Sequence, residues 1–393
     1  MNVQIKPQAA QASTHERHLP FEVVALVLQG GGALGAYQAG VYEALNEARV
    51  HPNWIAGISI GAINAAIIAG NPPEKRVERL REFWTHVTTD GPWSGAGNAF
   101  LGQAGGNAMR ELLNQMSAAQ ALASGARGFF AARPFLPWLY PAGAPEATSF
   151  YDTADLKRTL ERLVDFERIN SGETRLSVGA VNVRTGNFVY FDTATHTIRP
   201  EHVMASGALP PGFPAVEIDG EHYWDGGVVS NTPLQWIAES EPRRDTLAFQ
   251  VDLWSAQGNL PHNLFDVITR DKEIRYSSRT RAATSNFKRS QRLRHALANL
   301  LDKLPDGLSD DRDLRLLKEA ADRKVYNLVQ LVYRSRGYEG HSKDYEFSRV
   351  SMKEHWRAGY HDALRTLRHR GVLKRPANQL GLSTFDLAQD GQE

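Results

Sequence analysis

The stretch Gly57-Ile58-Ser59-Ile60-Gly61 constrains this chain most. It joins a short apolar run, Trp54-Ile55-Ala56-Gly57-Ile58, to a small-residue helical pattern, Gly61-Ala62-Ile63-Asn64-Ala65-Ala66. A serine with glycines two residues away on each side, between a strand and a helix, has the form of a nucleophile elbow. Glycine at both flanks removes the Cβ atoms that a tight strand-to-helix turn would drive into its neighbours. The hydroxyl then projects at the head of a helix whose N-terminus favours developing negative charge. A five-residue pattern in a chain with 33 glycines also arises by accident, so the weight falls on what surrounds it.

The surrounding order is that of an α/β protein with a parallel sheet. Val23-Val24-Ala25-Leu26-Val27-Leu28 is apolar on both faces, as a strand covered by helices on both sides must be. The loop Gln29-Gly30-Gly31-Gly32-Ala33-Leu34-Gly35 follows at once, then a helix over about 36–49 with Tyr37, Val41 and Leu45 on one face. The serine elbow ends the next strand. Further on, Thr185-Gly186 and Asp219-Gly220 mark two hairpins. Thr232-Pro233 reads as an N-cap and first helical residue, and 246–253 as another buried strand.

Two regions break this rhythm. From about Asp90 to Thr148, Gly, Ala and Pro dominate, with aromatic residues that read as exposed: Phe129, Phe130, Phe135, Trp138 and Tyr140. A long insertion of this kind in an enzyme is often a lid or a binding loop; a disordered linker or a subunit contact has the same composition. From Leu264 to Leu304 the pattern is helical and basic, with Arg270, Lys272, Arg275, Arg279, Arg281, Lys288, Arg289, Arg292 and Arg294 against Asp271 and Glu273. That face either meets anionic lipid headgroups or is balanced by acidic neighbours in the fold. Val325–Tyr333 reads as a strand, 351–370 as a helix, and the stretch beyond Pro376 as a loose tail.

Composition narrows the function classes. The chain has 393 residues, 42% hydrophobic and 23% charged, enough for one large or two ordinary domains. A net charge of +1 gives no overall attraction to nucleic acid. The absence of cysteine removes disulfides, thiolate catalysis and cysteine zinc sites, and fits a reducing, cytoplasmic setting. The polar residues 1–20 carry no apolar signal segment and read as a disordered leader. No window reaches the ~18 apolar residues of a spanning helix, which leaves at most peripheral membrane contact.

The chemistry follows from three stretches. Backbone N–H groups of a glycine run converge on one point, which holds a phosphate or an oxyanion. Gly30-x-Gly32-x-x-Gly35 also fits a dinucleotide loop, but no carboxylate lies near 52–56 where such a loop would need one. An oxyanion hole beside Ser59 is the better reading. The serine needs a base. His196, His202, His222 and His262 have no distinctive context, and His222 alternates with Trp224 on a strand face. Asp225 lies at a strand end with Gly226-Gly227 leaving one side open; an ordinary turn aspartate looks the same.

Taken together, Gly30-Gly31-Gly32-Ala33-Leu34-Gly35, Gly57-Ile58-Ser59-Ile60-Gly61, Ala205-Ser206-Gly207-Ala208-Leu209-Pro210 and Asp225-Gly226-Gly227 through Asn231-Thr232-Pro233 resemble the patatin-like phospholipase family, in that family's order. The resemblance covers roughly residues 21–255. It implies a three-layer α/β fold with a central, mainly parallel sheet, a lid-like insertion at 90–150, a mainly helical C-terminal extension at 256–376 and a loose tail at 377–393. It also implies a Ser-Asp dyad without histidine, with Ser59 as nucleophile and Asp225 as proton acceptor. Gly30, Gly31, Gly32 and Ala33 would supply oxyanion N–H groups, while Gly35, Gly57, Gly61, Gly226 and Gly227 support the motifs. The family often carries Arg or Lys where this chain has Leu34.

The expected reaction is cleavage of a lipid ester, phospholipid first, through an acyl-enzyme at Ser59, with no metal or cofactor. An aspartate of ordinary pKa (~3.9) is a weak base for serine, so its surroundings must tune it. The rivals are an esterase or acyltransferase on other acyl esters, including polyester oligomers, a Ser-His-Asp esterase, and a non-catalytic lipid- or nucleotide-binding module.

Overall fold

The computed structural model describes residues 18–90, 106–304, 312–378 and 380–386. The first half runs β1 Val23–Leu28, α1 Ala36–Glu47, β2 Trp54–Gly57, α2 Ile60–Ala69, α3 Pro73–Val87, α4 Gly106–Ser124, β3 Gly125–Ala126, β4 Phe130–Ala132, β5 Tyr151–Asp152, α5 Ala154–Leu163, α6 Phe166–Asn170, β6 Arg175–Asn182 and β7 Phe188–Asp192. The second half runs α7 Pro200–Ser206, β8 Val216–Ile218, β9 Glu221–Asp225, α8 Leu234–Glu239, β10 Thr246–Asp252, α9 Leu264–Leu301, α10 Arg312–Ala320, β11 Tyr326–Val332, α11 Arg349–Arg368 and β12 Leu382–Phe385.

Among the described residues nine strands share one sheet, ordered β12-β11-β10-β1-β2-β6-β9-β8, with β7 also paired to β6. From β12 to β6 all neighbours are parallel; β7, β8 and β9 join antiparallel. The all-apolar β1 explains its central place. Val24, Leu26 and Leu28 enter the larger core with α1, α2 and α3, while Val23, Ala25 and Val27 enter a second core with Leu234 and Ile237 of α8. Each such side chain contributes ~1.5–3 kcal/mol when fully buried, so a strand without a polar position belongs between two helical layers. The α/β fold with a central, mainly parallel sheet is therefore the one the chain adopts.

Sheet connections diverge between β1 and β10. β1 leads to β2 on one side, and β10 has β11 and β12 on the other. Ligands of open α/β sheets bind beyond the carboxyl ends of strands at such a switch point. The glycine loop and the serine elbow both lie there.

Residues after 255 build on to the same sheet. β11 and β12 extend it beyond β10, and α9 covers the face that also carries α8. α11 lies along α1 so closely that a Cβ on Gly40 would sit 1.9 Å from the Trp356 carbonyl oxygen, and one on Gly359 2.0 Å from that of Tyr37. The expected loose tail is corrected in part, because Leu382–Phe385 pairs with β11. Leu-Ser-Thr-Phe is too polar to announce a strand; the open edge of β11 supplies its partner groups. Residues 387–393 lie outside the described residues, as do residues 1–17 of the expected leader and 91–105 of the expected lid.

Two smaller expectations also change. α8 begins at Leu234 with Pro233 as its N-cap, one residue later than Thr232-Pro233 suggested. In the insertion, Phe129 and Phe130 are buried, because the small sheet β3-β4-β5 folds them against Phe213 and Phe347. Phe135 and Trp138 remain outside, 63% and 68% exposed. No helix among the described residues is long and apolar enough to cross a membrane.

Candidate active site

Ser59 stands between β2 and α2 with φ 57° and ψ −128°. A side chain held there costs on the order of 1–3 kcal/mol, so its surroundings must over-determine the turn. The packing does so. A Cβ on Gly57 would lie 2.3 Å from the Gly61 oxygen, and one on Gly61 2.3 Å from the Leu28 oxygen. Only glycine lets strand, turn and neighbouring strand close to this distance. The Ser59 N–H is gripped by Ser206, whose carbonyl oxygen accepts at 3.0 Å and whose hydroxyl oxygen accepts at 3.1 Å. The Ser206 hydroxyl in turn donates to the Gly179 oxygen at 2.6 Å. The sequence singled out the segment around Ser206 but gave it no role; here it anchors the strained residue.

Asp225 ends β9, opposite Ala180 of β6, and is 1% exposed. Its N–H donates to the Ala208 oxygen at 3.0 Å, so the Ser206–Ala208 segment fixes both Ser59 and Asp225. Its carboxylate accepts the Gly227 N–H at 2.7 Å, and the Ser59 side chain lies near enough to oppose the rise in its pKa. Burial pushes its pKa up to about 7, against the smaller opposing pull of those two donors. A half-buried serine thus faces a carboxylate whose basicity suits neutral pH.

The glycine loop closes the third side. Gly30 sits against the serine: a Cβ there would meet the Ser59 Cβ at 2.9 Å and the Asn231 Oδ1 at 2.4 Å. Asn231 ties this loop to the segment that follows Asp225. Its Nδ2 donates to the Gly30 oxygen at 3.0 Å and its own oxygen accepts the Gly30 N–H at 3.3 Å. The Ala33 N–H donates to the Asp344 oxygen at 2.8 Å. Of the four N–H groups expected to face an oxyanion, those of Gly30 and Ala33 are therefore committed to carbonyls. Those of Gly31 and Gly32 have no hydrogen-bond partner among the described residues.

The supporting glycines fill contacts rather than contribute groups. Gly35 abuts Ile60 and Trp84, Gly226 abuts the Gly179 oxygen and Ile58, and Gly227 abuts Asn231 and Asp225. Leu34 is fully buried in the main core, so the residue that replaces the family's frequent cation points away from solvent.

Gln29, Trp254 and Asp344 escaped sequence reasoning. Gln29 Oε1 accepts the N–H groups of Leu253 and Trp254 at 2.5 and 3.1 Å, and Trp254 Nε1 donates to the Gly30 oxygen at 2.9 Å. A polar residue directly after an all-apolar strand was a signal for Gln29. Nothing in the sequence announces Asp344, which acts through its backbone carbonyl. The histidines are occupied elsewhere. His202 Nδ1 accepts the Arg199 N–H at 2.9 Å and burial pushes its pKa down to about 4; His196, His222 and His262 are exposed. Among the described residues no histidine hydrogen-bonds Ser59 or Asp225, and no group of three or more His, Asp or Glu could hold a metal ion.

Residues 26–235 match the family described as Patatin-like phospholipase. This chain belongs to that family. A second family description, Patatin phospholipase, matches residues 274–379, so the part that supplies Asp344 is itself found in patatin phospholipases. A patatin-like phospholipase domain-containing protein of Caenorhabditis elegans, M110.7, is 38% identical over 69 residues, 18% of this chain. That match spans 6% of the length of the curated relative. Among solved structures, VipD from Legionella pneumophila is 16% identical with a TM-score of 0.39, over 88% of this chain and 67% of its own. ExoU from Pseudomonas aeruginosa, solved in complex with SpcU, is 14% identical with a TM-score of 0.24, over 76% of this chain and 67% of its own.

Proposed function

We propose that this patatin-like protein is a serine acyl hydrolase that cleaves carboxylic esters of lipids, phospholipids first, with Ser59 as nucleophile and Asp225 as base. The observation that carries the reading is the buried Asp225, which lies beside the Ser59 side chain and has its pKa pushed up to about 7. An aspartate in that range takes the proton of a serine attacking an ester carbonyl, which one near 4 does poorly. Negative charge then develops on the carbonyl oxygen. The unpartnered N–H groups of Gly31 and Gly32 are the donors proposed to meet it, and losing one such donor costs about 3 kcal/mol. The alcohol leaves with the proton held by Asp225. Water attacks the acyl-enzyme, Asp225 again acts as base, and the fatty acid departs.

The lipid substrate is supported by the family and by the rim of the site. Leu209 follows the Ser206–Ala208 anchor and is 39% exposed. The adjoining segment, held through Phe150 N–H to the Pro211 oxygen at 3.2 Å, carries exposed Phe135, Leu136, Trp138 and Leu139. We propose that this apolar rim touches the lipid surface from which the substrate is drawn.

An active-site-directed fluorophosphonate, read by intact mass, tests the reading. Wild type should gain one adduct at Ser59, Ser59→Ala none, and Asp225→Asn far less in the same time. Labelled wild type should then lose its hydrolysis of phosphatidylcholine vesicles. A well-folded wild type that takes no label with or without vesicles would sink the proposal.

A further inference from the structure

A second polar site, bordered by Trp254, lies beyond the carboxyl ends of β10 and β11. It is a cavity of about 240 Å³ bordered by Asp252, Trp254, Ser277, Arg281, Gln330, Arg334 and Asp386. At ~30 Å³ per water this holds about eight waters, or a molecule with a similar number of non-hydrogen atoms.

Its walls break the usual rule that buried polar atoms are hydrogen-bonded. Asp252 is 4% exposed, and its Oδ2 accepts Gln250 Nε2 at 2.6 Å while its Oδ1 has no partner. Ser277 of α9 is 2% exposed and its hydroxyl also has no partner. Both atoms belong to side chains that line the cavity. A buried carboxylate oxygen without a donor costs on the order of 1–3 kcal/mol or more. An interface between a helix and a sheet face is ordinarily apolar, yet here the polar Glu273, Ser277, Thr284 and Gln291 of α9 are buried beside Phe287 and Ala298.

Two guanidinium groups border the same cavity. Arg281 lies one helical turn after Ser277, and Arg334 follows β11. Both are exposed, both line the cavity, and neither has an ion-pair partner among the described residues. The deep end thus lacks a donor, and although Asp386 also borders the cavity the two guanidinium groups have no ion-pair partner among the described residues. We propose that this cavity binds a small zwitterion, its ammonium group on Asp252 and Ser277 and its phosphate or carboxylate between Arg281 and Arg334. An ammonium supplies the donors that Asp252 needs, and paired guanidinium groups hold phosphate or carboxylate through parallel hydrogen bonds. The site is separate from Ser59, and the proposal stands whether or not the chain hydrolyses esters.

Isothermal titration calorimetry on the full chain tests it with O-phosphoethanolamine and β-alanine as zwitterions, and with inorganic phosphate and ethanolamine as the halves. At least one zwitterion should give a saturable isotherm, with each half binding at least tenfold more weakly. The double variant Arg281→Ala/Arg334→Ala, whose side chains are exposed, should melt like wild type and lose at least tenfold in affinity. Asp252→Asn should lose a similar factor. Sedimentation with phosphatidylethanolamine vesicles separates the sources: capture lost in the double arginine variant assigns a lipid headgroup, and free-zwitterion binding without capture assigns a soluble molecule. No saturable heat, phosphate alone binding as well as the zwitterion, or affinity unchanged in both variants would overturn the proposal.

Discussion

Asp192 and Asp225 end β7 and β9, two strands that each pair with β6, and both are essentially removed from solvent at 0% and 1% exposure. Their chemistry is opposite. Burial raises the pKa of Asp192, but hydrogen bonds from Arg175, Ser177, the Ala194 N–H and Trp236 outweigh it and leave the carboxyl below its ordinary value. The Arg175 Nε lies 2.9 Å from Oδ1, Ser177 Oγ 2.6 Å and Trp236 Nε1 2.9 Å from Oδ2. Asp225 has the Ser59 side chain and the Gly227 N–H, and no cation among its partners. A guanidinium and several donors keep the Asp192 carboxyl low. Asp225, more deeply desolvated and with neutral donors alone, is raised to about 7.

Exchange of each carboxylate for an amide separates the two most sharply. Asp225→Asn should lower kcat/KM by about a thousandfold, the middle of the range for loss of a general base. Asp192→Asn should leave the rate of the folded enzyme within a few-fold. A comparable rate loss in both would end the distinction. The stability order reverses. Asp192→Asn leaves Arg175 stacked on Trp54 without its counter-ion and should cost about 3 kcal/mol in urea unfolding at pH 7.

The pH dependence has opposite signs. Asp192, whose folded pKa is lowered, contributes stability that is present above about pH 4 and lost on acidification through its folded pKa. Asp225, raised to about 7, is protonated in the folded chain where the unfolded chain is already ionised. It therefore subtracts stability as pH rises from about 4 to about 7, by on the order of 4 kcal/mol at most. Asp225→Asn should match wild type at pH 4 and unfold later than it at pH 8. The same group should give wild-type hydrolysis a rising limb centred near pH 7.

Smaller effects sharpen the picture around the base. Ser206→Ala removes an acceptor for the Ser59 N–H and the donor to Gly179, and should cost ~1–3 kcal/mol with roughly tenfold slower fluorophosphonate labelling. Unchanged labelling would mean that the main-chain oxygen of Ser206 suffices. Trp138→Ala, at an exposed position, should shift stability by less than about 0.5 kcal/mol. It should slow hydrolysis of vesicle lipid while sparing a short soluble ester; equal slowing of both would remove the rim from the lipid contact.

Much of the fold was legible because it rests on local rules. An all-apolar strand, a glycine loop and a small-residue helix can only be a buried strand, a tight turn and a covered helix, and β1, Ser59 and α2 follow from them. Asp225 was legible as a residue before two glycines at a strand end. What stayed hidden depends on distant backbone. The pairing of Leu382–Phe385 with β11 needs the sheet edge to exist first, and the aromatic residues of the insertion divide into buried and exposed only once β3-β4-β5 folds.

By itself, the sequence determined which groups are available: a serine in a turn that needs glycine at both flanks, an aspartate beside it in kind, and a loop with N–H groups to spare. Only the tertiary structure decided what those groups became. The Asp344 oxygen, far away in sequence, takes the Ala33 N–H, and Asn231 takes that of Gly30. Asp192 and Asp225 both end strands that pair with β6. Their protonation differs because a carboxylate's pKa is set by the donors and the solvent around it, and those are fixed only when strands distant in the chain come together.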